Sequence, residues 1–410
     1  MINYLLKRED IKMNKAEIDK MINSAISDLK IDTSKIDAVS LLHKSFDYEC
    51  EKIFKNARNL ILKDDPFAYV PDFAIRKDIF SNSVISGEII ITYYPFEEIK
   101  KLNYKNITDI NYVYSYFDDI SVNAIFESTI KNFTFKNPAY DFVKQNDAVK
   151  LNIKIFQNNA LVKEDNNFNV IANRTNNFTI NNIVLNHRFG EFFTFNDPLN
   201  RRWEVQIVEI IRTIPMPITN QNVQFLKIPY VINLMTLKTF FSSMIKKDNA
   251  IKEAMRYFDF FISELENNNN IIFPDEYINS KIANYTSNYL EKVRPENREA
   301  IQNSIIQKDE YGIQIIENAV RSAKREIIEG LAKKAIYILE KIKVHNMEIT
   351  QELNQSSIVL FQNSYFNKKE NKNVNTVKDD LIDIKIALKL LQLNVPQLFM
   401  IIARDAAIAV

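Results

Sequence analysis

The chain has 410 residues, two or three times a typical domain of roughly 100–200, so more than one domain is expected. Its 53 Lys and Arg almost balance its 52 Asp and Glu, which removes any global electrostatic reason to expect nucleic acid or an anionic membrane as partner. The single cysteine, Cys50, excludes an intramolecular disulfide and a cysteine-based zinc cluster, and only four glycines leave little material for phosphate-cradling loops.

From the N-terminus, Tyr4 to Ile11 reads as a short strand. A helix follows from about Asn14, with Ile18, Met21, Ile22, Ala25, Ile26 and Leu29 at helical spacing. A second long helix carries Val39, Leu42, Phe46, Ile53, Phe54, Ala57, Leu60 and Ile61, and stops before Asp64-Asp65-Pro66. Between Phe67 and Lys100 the pattern turns to strands, chiefly Ile85 to Tyr94 before Pro95. Residues Ile110 to Asn137, rich in Tyr and Phe, read as an extended connector with helical character.

Short strands dominate from Asp147 to Arg212. Val149, Leu151, Ile153 and Ile155 alternate, Asn158-Asn159 supplies a turn, and Trp203, Val205 and Ile207 alternate again. From Val231 onward nearly everything reads as helix. Ile251, Met255, Phe258, Ile262 and Leu265 mark one, and Tyr277, Ile278, Ile282, Tyr285 and Tyr289 mark another starting near Pro274. The longest helix is expected from about Tyr311 to Val344, and two more are expected with N-caps at Thr350 and Thr376, the second ending before Pro396.

Catalytic chemistry is hard to find in this chain. His43, His187 and His345 lie in unrelated segments with no partner at metal-ligand spacing, so no metal site is expected. Cys50 sits among Phe46, Ile53 and Phe54, the setting of a buried thiol acting as a small hydrophobe. No Walker or Rossmann glycine pattern is present, and no cofactor is expected. Arg321, Lys324, Arg325, Lys333 and Lys334 alternate with Glu326 and Glu329, which reads as a solvated, salt-bridged helix face.

The order of parts resembles trigger factor: an α/β head, a connector, a small β-rich domain, then a helical body. The segments that carry the resemblance are Asn14 to Ile26, Asp65-Pro66 through Tyr93-Tyr94-Pro95, His187 to Phe195, Trp203 to Ile210, Phe273 to Lys281, and Ala323 to Leu331. It implies an α+β multidomain fold, with residues 1–112 as a ribosome-binding-type head and 113–146 as a connector contributing to the body. Residues 147–213 would then be a reduced domain of the FKBP type and 214–410 an all-α chaperone body with arms. The implied function is an ATP-independent chaperone for unfolded or nascent polypeptides, located in the cytoplasm, with no nucleic-acid specificity and no membrane. The absence of any apolar run approaching the ~18–20 residues needed to span a bilayer accords with that location.

Two departures from the family qualify this. The family's ribosome-docking loop reads G-F-R-K-G-K, whereas Ile31 to Ser40 here is shorter and lacks glycine, leaving Lys30 and Lys35 as the candidates for ribosome contact. The vestigial isomerase pocket would comprise Ile153, Phe178, Ile180 and Trp203, with Asn177 to Asn181 replacing the glycine-containing floor and Asn196 to Arg202 a shortened flap. Weak or lost prolyl isomerase activity is therefore expected, an active isomerase and a dedicated assembly partner for one protein being the alternatives. Phe240, Phe241, Met244, Phe258, Phe261 and Phe399 are the candidates for client binding, although burial in its own bundle is the more frequent fate of any one of them.

Overall fold

The computed structural model describes residues 1–105, 107, 112–115, 118–356 and 373–408. They fall into two compact units, one built from the described residues within Met1–Tyr116, Lys246–Ser357 and Phe361–Val410, the other from those within Phe117–Ile245. In chain order the first elements are β1 (Leu5–Asn14), α1 (Lys15–Leu29), α2 (Ala38–Asp64), β2 (Phe73–Phe80), β3 (Val84–Tyr93) and α3 (Phe96–Ile99). Then come α4 (Asp119–Lys131), β4 (Thr134–Pro138), β5 (Ala148–Gln157), β6 (Ala160–Ile171), α5 (Ile180–Ile183), β7 (Phe192–Asn196) and β8 (Arg202–Pro215). The remainder is helical: α6 (Leu234–Asn268), α7 (Asp275–Lys292), α8 (Pro295–Gln307), α9 (Glu310–Leu339), α10 (Asn346–Ser356), α11 (Val374–Asn394) and α12 (Pro396–Ala406). The molecule is thus α+β, with sheets in both units and a large helical body.

In the first unit an antiparallel sheet of order β1-β3-β2 carries α1 and α2. Helix α1 starts at Asn14 because a capping box forms there. The Asn14 Oδ1 accepts from the Glu17 amide at 3.2 Å, and the Glu17 carboxylate accepts from the Asn14 amide at 2.8 Å. Asp37 caps α2 in a similar way, accepting from the Val39 and Ser40 amides. Ile85, Ile89 and Ile91 share one face of β3 by the two-residue period of a strand, and that face packs on Ile18 and Met21 of α1 and Phe46, Cys50 and Ala57 of α2. The other face is closed as well, since Glu88, Ile90 and Thr92 are buried. The Glu88 carboxylate is held by Arg8 at 2.9 Å and Arg76 at 2.6 Å, so its burial leaves no uncompensated charge.

The helical body of this unit shares one core with the end of that sheet. Phe258, Phe261 and Leu265 of α6, Ile327, Leu331 and Ala335 of α9, and Leu381, Ile384, Leu388 and Leu391 of α11 are buried together with Ile2, Tyr94 and Ile99. The Tyr94 hydroxyl donates to the Ile272 carbonyl at 2.8 Å, and Ile2 forms a parallel bridge with Ile271. Asn394 ties Tyr104 and Ile107 to α11, accepting from the Ile107 amide at 2.8 Å and donating to the Tyr104 carbonyl at 3.1 Å.

The second unit is built on antiparallel strands ordered β4-β8-β5-β6, with β7 also pairing β8. Its core contains Val149, Leu151, Ile153 and Ile155 from β5 and Val205, Ile207 and Ile210 from β8. Asn158 and Asn159 join β5 to β6 with φ of 50° and 64°, the left-handed pair that a two-residue hairpin of matching twist requires and that asparagine tolerates.

The structure differs from the sequence reading at several elements. The connector expected over 113–146 contains α4 and β4, and β4 pairs with β8 as part of the sheet, which the Phe-Thr-Phe-Lys-Asn stretch does not signal; Ile110, the expected start of its helical character, lies outside the described residues. The longest described helix is α6, of 35 residues, while α9 has 30 and ends at Leu339. Thr350 lies inside α10 and returns its hydroxyl to the Asn346 carbonyl at 3.0 Å, and Asn373, not Thr376, caps α11. Helix α8, opened by Pro295 at its first turn, adds an element that the sequence reading lacks.

Candidate functional site

The six residues expected to bind clients do not form one surface. Phe258 and Phe261 are 2% and 0% exposed, inside the helical core of the first unit, and Phe399 is half-buried against the same core. Phe241 is 2% exposed, with its ring 5.4 Å from that of Phe126 in the second unit. These are corrections: Phe241, Phe258 and Phe261 are packing residues, because the same helical stripe that offers an apolar surface also closes the bundle. Phe240 and Met244, in the first half of α6, are half-buried.

In the second unit, Ile153 is 1% exposed and belongs to the sheet core. Trp203 stacks on Phe195 at 5.5 Å, Phe195 meets Phe178 edge-to-face at 5.8 Å, and Ile180 packs against the same core. The structure therefore joins Phe178 and Trp203 in one aromatic row through Phe195, while Ile180 packs against the sheet core that contains Ile153. Phe193 extends the row and stacks on His187 at 3.8 Å. The Trp203 indole donates to Asp197 at 3.0 Å. Burial works against the Asp197 carboxylate, but that bond and those from the Arg201 and Leu199 amides and the Arg201 side chain prevail and bring its pKa down to about 2.

Lys30 closes α1 in the left-handed region at φ 51°, and Lys35 pairs with Asp32 at 2.8 Å. Both side chains of that pair are exposed, so the Lys35 ammonium remains accessible. Cys50 is buried, and desolvation first, then the neighbouring Asp47, pushes its thiol up to about 12, which leaves no thiolate at neutral pH. Among the described residues no cluster of three or more His, Cys, Asp or Glu side chains is placed to hold a metal, and no helix is long and apolar enough to cross a membrane.

A groove of about 680 Å³ lies between α6 and α9. Helical spacing builds it. Ile316, Val320 and Ile328 recur along one side of α9, facing Ile262 of α6. Ile262 and Ile328, each 1% exposed, form the floor, and the half-buried Ile316 and Val320 form the wall. Arg321, Lys324 and Arg325 line the rim with Glu266 and Glu317. Lys324 lies 3.9 Å from Glu266 and Arg325 2.9 Å from Asp259. Such a groove holds no catalytic constellation. It can accept apolar side chains, each contributing roughly 1.5–3 kcal/mol when fully buried.

Sequence reasoning does not find this site. By spacing, Ile316 and Val320 belong to the same core stripe as Ala319, Ala323 and Ile327, and the cations to a solvated face. What separates them is a rotation about α9: Ala319, Ala323 and Ile327 are buried, whereas Ile316 and Val320 are left partly open.

No family model matches the chain, and no curated protein matches it. A solved structure described as "Promiscuous Substrate Recognition in Folding and Assembly Activities of the Trigger Factor Chaperone" is similar over 94% of this chain and 97% of that one, at 11% identity and a TM-score of 0.37. The overlap is long but loose, so the functional case rests on this chain's own residues.

Proposed function

We propose that this protein is an ATP-independent chaperone of the cytoplasm that shelters unfolded or nascent polypeptide in the groove between α6 and α9, with little or no prolyl isomerase activity. The observation that carries the reading is the groove itself, where Ile316 and Val320 are left partly open above the buried Ile262 and Ile328 and beside charged residues. Apolar surface left open in this way binds exposed apolar segments and slows their aggregation by mass action, with no fuel required. The scarcity of glycine, which leaves no nucleotide-cradling loop in the sequence, accords with that. Weak isomerase activity is supported by the row Phe178, Phe195 and Trp203, whose rings pack on one another, and by the burial of Ile153. The ribosome is not part of the proposal, since Ile31 to Ser40 has no glycine and a single cation, Lys35.

The test is light scattering from a chemically unfolded client, with stoichiometric amounts of this protein and no ATP. Suppression by the parent, weakened in an Ile316→Ser, Val320→Ser double variant of unchanged thermal stability, is the expected result. No suppression by a folded parent sample would exclude the reading.

A further inference from the structure

The charge balance of the whole chain does not hold for one stretch of the second unit. From Thr213 to Ile245 there is no Asp or Glu, and the charged residues are Lys227 and Lys238. Both are exposed and in no ion pair among the described residues. The elements hydrogen-bonded to the stretch leave the excess in place. Strand β4 sets Lys136 opposite Thr213, and the end of α4, whose Ile130 carbonyl accepts from the Ile218 amide at 2.8 Å, carries Lys131 and Glu127. Four lysines thus stand against Glu127, with Asp118 and Asp119 at the opposite end of α4.

The same stretch presents apolar side chains that its own packing does not use. The Asn220 Oδ1 accepts from the Leu234 amide at 2.8 Å and closes a loop, which the buried Val223, Ile228 and Val231 anchor from within. Phe225, Tyr230 and Ile232 of this loop and Met235 in the first turn of α6 are 65%, 95%, 74% and 81% exposed. Tyr230 holds a φ of 65°, a region uncommon for a bulky residue, so neither its backbone nor its packing calls for a tyrosine. Side chains that stand out singly form no groove for a polypeptide to lie in, whereas the interface of a bilayer surrounds each of them. Unpaired lysines beside them match a bilayer of negative charge.

We infer that this loop is a docking surface for an anionic phospholipid bilayer, with Phe225, Tyr230, Ile232 and Met235 entering the headgroup boundary and Lys227 and Lys238 meeting lipid phosphates. The contact is peripheral and requires no spanning helix. It departs from the expectation that the chain engages no membrane, which whole-chain charge supports and this local excess does not.

Co-sedimentation of the full chain with vesicles of phosphatidylglycerol or of phosphatidylcholine tests the inference. Binding to phosphatidylglycerol is expected to be about tenfold tighter at low salt, with the gap narrowing as salt is raised. A Tyr230→Ser, Met235→Ser double variant should bind the anionic vesicles about tenfold more weakly, and a Lys227→Gln, Lys238→Gln double variant should level the two lipids, each with unchanged thermal unfolding because the replaced side chains are exposed. An environment-sensitive dye on Tyr230→Cys should shift to the blue on phosphatidylglycerol vesicles, and the same dye on Val39→Cys should not, Cys50 being buried. Binding to neither vesicle, a lipid preference that survives loss of both lysines, or equal dye shifts at the two positions would overturn the inference. A shift at position 230 produced by an unfolded client and not by vesicles would overturn it and assign the loop to polypeptide.

Discussion

A Cβ on residue 312 would lie 2.1 Å from the Ser304 carbonyl oxygen, so Gly312→Ala has to push the start of α9 away from the end of α8. Overpacking of this kind costs roughly 1–3 kcal/mol, which should outweigh the ~1 kcal/mol that alanine brings to a helix over glycine. A lower urea midpoint for the variant is the expected outcome. Phe261, fully buried in the helical core, should cost about 3–5 kcal/mol on replacement by Ala, measured in the same way, as befits a packing residue. Asp197 gives a pH dependence whose sign follows from its depressed pKa. The unfolded carboxylate titrates near ~3.9 and the folded one at about 2. The stabilisation is therefore complete above the unfolded value and is lost as pH falls through the folded one. Trp203 is the one tryptophan and is bonded to Asp197, so its emission should report a transition in that acid window, and Asp197→Asn should lack it.

At the scale of elements, the sequence is most readable where one physical signal acts alone. The period of Ile18, Met21 and Ala25 places α1, and the Asn158-Asn159 pair places the β5–β6 hairpin. It is least readable where a tertiary partner decides the outcome. Strand β4 exists because β8 is there to pair with Phe135 and Lys136. The groove wall at Ile316 and Val320 is distinguished from the core stripe only by how much of α9 its neighbours cover. Large size makes a phenylalanine a candidate for client binding, and size is also what draws Phe258 and Phe261 into the core. The aromatic row of the second unit has a consequence for catalysis, because Trp203 and Phe178 both pack on Phe195. Relaxation of a proline-containing peptide should therefore keep the uncatalysed time of about tens of seconds, as measured by a protease-free fluorescence assay. Acceleration abolished by Trp203→Ala would instead mark that row as an active pocket.

For the whole molecule, the proposed function rests on the partly open apolar wall of Ile316 and Val320. Co-sedimentation with ribosomes at physiological salt is expected to stay at background, because the segment from Ile31 to Ser40 offers one cation, Lys35, beside Asp32 and Asp37. The central claim, that the groove between α6 and α9 is where unfolded polypeptide is held, is tested most directly by placing a photo-crosslinking side chain at position 320 and, as a control, at exposed position 39. Crosslinks from position 320 to a chemically unfolded client, absent with the same client in its native state and weaker from position 39, are the result predicted. Equal crosslinking from both positions, or none from position 320 in a sample that still suppresses aggregation, would contradict it.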